Sequence, residues 1–199
     1  MDFETVFPAL PRFAGMAPYD HVPFQWSVHR QECPEGTLKH YEYLAGDNTD
    51  PRIPFAEGLC NAVYGANSVV VYNQSFENSR LNDLARWLPK YGSPIEEIRA
   101  KFWDLMVVIR RHLYHHAFDC SFSLKSVLPA LVPEMNYETL QVADGQEAGL
   151  AWIKSVDPTI ASDEKQRIRQ ALLKYCSQDT LGLARLVDPL RKLEAFPRL

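Results

Sequence analysis

The sequence predicts an α/β protein with a mixed sheet, and three observations carry that prediction. The N-terminal part contains runs that alternate apolar and polar residues, which is typical of half-buried strands. A short and almost fully apolar run, NSVVVYNQ, follows and indicates a buried central strand. The remainder reads mostly as amphipathic helices, and this order of elements favours the α/β class.

The first elements form a predicted β-meander. DFETVF is aromatic and β-branched, and it reads as the end of a strand. PFQWSVHRQ alternates apolar and polar side chains, ECPEG is a turn, and TLKHYEYLAG alternates again, so the two runs predict a hairpin. The next stretch opens with Asp and Pro, turns helical and closes on Gly65.

The later elements are predicted from caps and breaks. SFENSRLNDLARWLPKY follows the buried strand as a helix with Ser75 as its N-cap. DLMVVIRRH fits a strand or a helix, and SLKSVLPALVPE predicts a short helix broken at Pro129. DGQEAGLAWIKSVD predicts a further helix, and the last one starts with Ser162 and Asp163.

Size and composition bound the function. The 199 residues predict one domain over 1–199, and a net charge of −4 gives no basic field for nucleic acid, so such contact would be local or mediated by metal ions. Four scattered cysteines predict reduced thiols in a cytoplasmic protein, and no apolar run is long enough to span a membrane. The abrupt start at MDFET suggests a domain excised from a longer protein.

Acidic residues stand out at two places in the N-terminal half. Asp2 and Glu4 lie at i and i+2 of a strand, so both side chains point to one face and together could bind a hard cation. The alternative is a solvated strand face. Glu77 lies in the first turn of the helix after the buried strand, where α/β sheets place sites, or it serves only the positive end of that helix.

A third pair lies near the C-terminus. Tyr175 and Asp179 are four residues apart in LLKYCSQDTLGLARL and therefore share a helix face. The alternative is a buried tyrosine with an ordinary hydrogen-bond partner.

Together the three places resemble the tyrosine subgroup of the DnaQ-like (DEDD) 3′–5′ exonucleases. Asp-x-Glu matches Asp2 to Glu4, the second motif reads Asn73-Gln-Ser-Phe76-Glu77, and Tyr-x-x-x-Asp matches Tyr175 to Asp179. The second motif ends in Glu77 where that superfamily usually has Asp. The longer side chain implies a reshaped site that favours Mn²⁺, is slower, or has lost catalysis.

The chain is also similar, over nearly its whole length, to a bacterial domain family of unknown function. PYDHVPFQWSVH, DPR, SFSLKSVLPAL, NYETLQVADGQEA and YCSQDT carry that resemblance. Members look like the C-terminal part of longer proteins. The resemblance therefore implies a fused or associated nuclease domain upstream.

The nuclease resemblance implies a ribonuclease-H-like fold, with a mixed sheet of five strands whose first three are antiparallel, flanked by helices. It implies a 3′–5′ exonuclease on single-stranded DNA or RNA with two divalent ions, Mg²⁺ or Mn²⁺. The rival is a non-catalytic module that binds nucleic acid or protein and retains the fold. The implied metal ligands are Asp2, Glu4, Glu77 and Asp179, with Tyr175 orienting the attacking water.

Substrate contacts are expected from residues around these motifs. Aromatic rings next to the ligands could stack on bases, and SFSLK precedes a helix whose N–H groups and lysine could meet a phosphate, although a plain helix cap explains that stretch equally well. The candidates are Phe3, Gln25, Asn73, Phe76, Ser121, Ser123 and Lys125.

Overall fold

The computed structural model of the protein describes residues 1–34, 36–137, 140–142 and 144–194, with the side chains of 192–194 left out. Within this part of the chain, three strands come first, and helices then dominate. The strands are β1 (Asp2–Val6), β2 (Val22–Arg30), β3 (Lys39–Leu44), β4 (Val69–Val71) and β5 (Phe102–Asp104). The helices are α1 (Arg52–Val63), α2 (Gln74–Trp87), α3 (Gly92–Arg99), α4 (Leu105–His112), α5 (Leu124–Leu131), α6 (Gly145–Ser155) and α7 (Ser162–Glu194).

The strands form two sheets. β1, β2 and β3 make an antiparallel sheet with β2 in the centre, and β4 pairs in parallel with β5. The predicted meander and the antiparallel arrangement of the first three strands are confirmed. The prediction of one five-stranded sheet is wrong, because β4 is only three residues long and its described link to the larger sheet is one hydrogen bond, from the Met1 amine to the Val70 carbonyl oxygen (3.0 Å).

The antiparallel sheet packs against helices on both faces. On one face, Phe3 and Trp26 lie in a core shared with α1, α2 and α3. Further along the same face of β2, Phe24 stacks on Trp152 of α6, with ring centroids 4.8 Å apart. On the opposite face, Gln25 and Ser27 contact α7. The sheet is therefore enclosed by helices, and polar side chains on its α7 side are removed from water.

The start of α2 differs from its prediction. The helix begins at Gln74, and its N-cap is Asn73, which has a left-handed backbone (φ 66°), and not Ser75. Asn73 and Gln74 donate their backbone N–H groups to the carboxylate of Asp104, at 3.1 and 3.0 Å. The distant Asp104 supplies acceptors that the local sequence does not, so the expected serine cap is not needed.

The structure also decides two segments whose prediction was open or included a break. Of the ambiguous stretch DLMVVIRRH, Asp104 ends the strand β5 and the remaining residues form the helix α4. α5 continues past Pro129 to Leu131, so the predicted break at the proline is wrong by two residues. The last helix starts at Ser162, as predicted. None of the described helices combines the length and the apolar character needed to cross a bilayer.

Candidate metal centre

β1 presents two carboxylates to α7. Asp2 is paired with Ser27 and Glu4 with Gln25 on the neighbouring strand, so all four side chains lie on the same face of the sheet. One ligand atom each from Asp2, Glu4 and Cys176 lies within 4.8 Å of the others. The predicted acidic pair therefore meets the late helix, which starts 160 positions further along the chain.

Polar contacts hold α7 over this face. Gln25 donates its side-chain amide to the Leu172 carbonyl oxygen (2.8 Å), and the hydroxyls of Ser27 and Thr180 are 2.6 Å apart. Both contacts are buried, where a hydrogen bond has little competition from water. They place the helix so that Asp179, one residue before Thr180, belongs to the same acidic cluster.

α2 brings in the fourth acid. Glu77 lies in the first turn of the helix and only 2% of it is exposed. Its Oε2 atom is buried, and the described part of the chain offers it no hydrogen-bond partner. Burial and then the charge of Asp2 raise the pKa of Glu77, so the two acids influence each other's environment. A buried carboxylate oxygen without a donor is costly unless a proton or a cation joins it.

The pKa of each of the four acids is raised, and for three of them Asp2 contributes to the rise. Burial is the largest cause for each; it raises the pKa of Asp2 to about 6 against a lowering by the Met1 ammonium. Burial and then the charge of Asp2 raise the pKa of Glu77 and of Asp179 to about 8. The pKa of Glu4 lies well above its ordinary value because of burial, Asp2 and Asp179. The surroundings therefore disfavour the ionised forms of these acids.

Two phenols and one ammonium group border the acids. The Tyr137 hydroxyl donates to Oδ1 of Asp179 (2.6 Å), and Tyr175 is 5% exposed beside the same acid. Burial and then Asp179 raise the pKa of both phenols, so both hydroxyls remain protonated at neutral pH. The Lys125 ammonium lies 5.9 Å from the Tyr137 ring centroid and 5.6 Å from that of Tyr175, and it lowers the pKa of Glu4 and Asp179.

The other predicted substrate contacts divide into interior and surface residues. Phe3 is 3% exposed and meets Phe55 edge to face, and Gln25 is fully buried with its amide on α7. Both side chains are therefore buried in the protein interior, and neither is accessible to a ligand. Asn73 is exposed, and Phe76 is partly buried under the Arg80 guanidinium.

Ser121 and Ser123 form a local cap. Ser123 accepts the N–H of Ser126 at the start of α5, and the Ser121 hydroxyl donates to that of Ser123 (3.1 Å). This is the plain capping role that the sequence left open. Lys125 follows in the first turn of α5 and is exposed to solvent.

Sequence reasoning missed four residues at the centre. Besides Tyr137 and Cys176, these are Asp144 and Gly145 at the start of α6. Asp144 caps α6 and raises the pKa of Glu4, and a Cβ on Gly145 would lie 3.3 Å from Oε2 of Glu4. An Asp-Gly pair before a helical run signals a cap, but only the fold brings that cap to β1.

The donor set suits a hard cation. The ligand atoms are carboxylate oxygens, which Mg²⁺ and Mn²⁺ prefer. Cys176 is fully buried, and burial followed by the nearby acids raises the pKa of its thiol well above the ordinary value. The sulfur is therefore a neutral thiol at neutral pH and a weak ligand beside four acids.

Comparison with known proteins places the chain in a family. No curated protein and no solved structure matches it. A family model described as "Domain of unknown function (DUF2779)" matches residues 1–123, which include the Asp2/Glu4 pair and Glu77 but not Tyr175 and Asp179. Because the match covers more than half of its length, the chain belongs to the DUF2779 family of uncharacterised domains.

Proposed function

We propose that this protein is a metal-dependent 3′–5′ exonuclease that acts on single-stranded DNA or RNA. One observation carries the proposal. Asp2 and Glu4 of β1 lie together at the centre, and the charge of Asp2 acts on Glu4, on Glu77 of α2 and on Asp179 of α7, which lies beside the hydroxyls of two tyrosines. Acids gathered against their own repulsion are typical of a cation site, since a cation removes the repulsion that the fold has to overcome.

The strand arrangement supports the likeness to the DnaQ-like nucleases and to a ribonuclease-H-like fold. A three-stranded antiparallel meander starts with the acidic strand, and the hydrogen bond from the Met1 amine to Val70 sets β4 beside β1. β5 then adds in parallel to β4. The two sheets remain separate, and their described link is this one hydrogen bond, so the support comes from the antiparallel meander and the parallel pair.

The residues present fit two divalent ions. Asp2, Glu4, Glu77 and Asp179 would hold them, and the unpartnered Oε2 of Glu77 is a free ligand atom among the described residues. When bound, such ions supply an activated water and neutralise charge on the leaving oxygen. With two divalent ions the four carboxylates become about neutral, so phosphate is no longer repelled.

The remaining groups bind and orient. The protonated Tyr175 hydroxyl orients a water molecule by hydrogen bonding and does not remove its proton, since its pKa is raised. Lys125 places a positive charge next to Glu4 and Asp179, where a phosphate of the strand would lie. The exposed Asn73 lies at the α2 side and is available to the terminal nucleotide, and Phe76 follows in the first turn of α2 with its ring under the Arg80 guanidinium.

The test is a cleavage assay with the purified protein. Mn²⁺ or Mg²⁺ and a 5′-labelled single strand should give stepwise loss of 3′ nucleotides, and a chelator should stop it. Asp2→Ala and Asp179→Ala should reduce the rate more than about 100-fold, beyond the usual effect of losing a group that only supports a ligand. The matched control is Asp188→Ala, an exposed acid on the same helix α7, which should keep the wild-type rate.

The same assay separates the rival function. A wild type that leaves DNA and RNA intact with both ions, but retards a labelled strand in a gel, would replace the nuclease with a binding module. Isothermal titration calorimetry without any Mn²⁺ signal would remove the metal site itself from the proposal.

A further inference from the structure

We propose that Tyr137 is a positioning residue that fixes the Asp179 carboxylate by occupying its Oδ1 atom and leaving Oδ2 for a divalent ion. This inference rests on the proposed function and adds to it a residue outside the three acidic motifs. Tyr137 lies between α5 and α6, 42 positions before its partner, so no helical spacing connects the two.

The contact has the form of a charge-assisted hydrogen bond. The O–O distance of 2.6 Å falls in the range of an O–H group donating to an ionised carboxylate. The bond joins the Tyr137 hydroxyl to one of the two carboxylate oxygens, Oδ1, and so fixes the plane of the carboxylate. A donor at this place therefore holds Asp179 in one orientation before an ion arrives.

The tyrosine is itself held in place from two sides. Gln178 donates its side-chain amide to the Asn136 carbonyl oxygen (3.1 Å), which ties the backbone next to Tyr137 to α7. The Lys125 ammonium contacts the rings of both Tyr137 and Tyr175 and so links α5 to the pair. A hydroxyl on a ring fixed in this way is pre-organised, and it loses little freedom when it orients the acid.

A merely structural role makes a different prediction. A buried tyrosine commonly finds a hydrogen-bond partner, and losing that bond would lower stability without changing ion affinity. If Tyr137 positions a ligand, losing its hydroxyl frees the Asp179 carboxylate to turn away from Asp2. Residues that orient a ligand typically cost 10- to 100-fold in metal affinity or activity when changed.

The experiment measures Mn²⁺ affinity of Tyr137→Phe by isothermal titration calorimetry, with the wild type alongside. We expect affinity to fall about 10- to 100-fold. In the exonuclease assay at limiting Mn²⁺ kcat should fall, whereas KM for the strand should change little. The melting temperature as a function of Mn²⁺ concentration gives the same affinity from stability alone, so a destabilised variant is still measurable.

The matched control is Tyr72→Phe. It removes another partly buried hydroxyl, whose 2.7 Å hydrogen bond goes to the Phe122 carbonyl oxygen and not to an acid. It should lower the melting temperature while keeping Mn²⁺ affinity. In an Asp179→Asn background, Tyr137→Phe should add little to the loss of affinity, because the two residues act as a pair.

The outcomes are distinct. A wild type that binds Mn²⁺ and cleaves, next to a Tyr137→Phe variant of equal affinity, overturns this inference and leaves the nuclease proposal standing. Equal loss in the Tyr72→Phe control also overturns it, since the effect would then be general. A wild type that neither binds Mn²⁺ nor cleaves overturns both proposals.

Discussion

Two aspartates of the protein lie in opposite environments. Asp104 ends β5, and its carboxylate accepts the backbone N–H groups of Asn73, Gln74, Met106 and Val107, which caps α4 and joins it to the start of α2. Asp179 lies on α7 near other acids, and among the described residues its carboxylate accepts a hydrogen bond from the Tyr137 hydroxyl.

The difference lies in where the compensating charge comes from. At Asp104, four backbone dipoles satisfy the negative charge, and no ion is needed. At Asp179 and Glu77, burial and neighbouring acids oppose the charge, so a proton or a cation has to supply what the fold leaves out. An acid is thus structural when backbone donors surround it, and a ligand candidate when other acids do.

The largest expected effect that tests this contrast is stabilisation by a divalent ion. Mn²⁺ at about 100 times its dissociation constant should add about 2.7 kcal/mol to the free energy of unfolding. For a chain of this size that corresponds to a rise in melting temperature of about 5–11 °C. Differential scanning calorimetry with and without Mn²⁺ measures it.

Variants assign the rise to one of the two aspartates. Asp179→Asn should lose most of the Mn²⁺-dependent rise, whereas Asp104→Ala should keep it on a lower baseline. An unchanged rise in Asp179→Asn would place the ion elsewhere in the protein.

The next effect is a pH dependence of the ion-free protein. The acids of the cluster titrate at about 4 when unfolded, but the folded state raises the pKa of Asp2 to about 6 and those of Glu77 and Asp179 to about 8. Between these values the folded state binds more protons than the unfolded state, so the free energy of unfolding falls as pH rises from about 4 to about 8. Urea titrations across that range should show the decline.

Saturating Mn²⁺ should reverse the trend. The ion needs the carboxylates deprotonated, so its affinity should increase through the same pH window. Asp179→Asn removes one of the raised groups and should flatten the ion-free curve. Ion-free stability that increases steadily from pH 5 to pH 8 would contradict the acidic cluster as described.

The elements of the fold were largely predictable because their signals are local. Alternation in PFQWSVHRQ and TLKHYEYLAG depends on neighbouring residues, and the structure confirms the hairpin with His29 opposite His40. The left-handed Asn73 at the start of α2 was not predictable, since its N–H partner Asp104 lies 31 positions away. The division into two sheets was also missed, because pairing between strands is set by the whole fold.

The site shows the same limit. Asp2, Glu4, Glu77, Tyr175 and Asp179 were named from motifs that each span a few residues, and the structure gathers them. Tyr137 lies in an irregular segment without periodicity, and Cys176 looks like an ordinary apolar helix residue. Phe3 stood between two predicted ligands in sequence, yet the alternation of the strand places it inside, against α1. Gln25 was also expected to contact substrate, yet it is buried with its amide on α7.

The smallest expected effect concerns Asp104 alone. Asp104→Ala removes the N-cap of α4 and the acceptor for two N–H groups at the start of α2. Losing such a cap typically costs about 1 kcal/mol, so the melting temperature should fall by about 2–4 °C. Mn²⁺ affinity should stay within about twofold of the wild type, because the Asp104 carboxylate accepts backbone N–H groups and does not bind the ion. A loss of affinity as large as that of Asp179→Asn would show that Asp104 belongs to the acidic cluster after all, and the contrast between the two aspartates would fail.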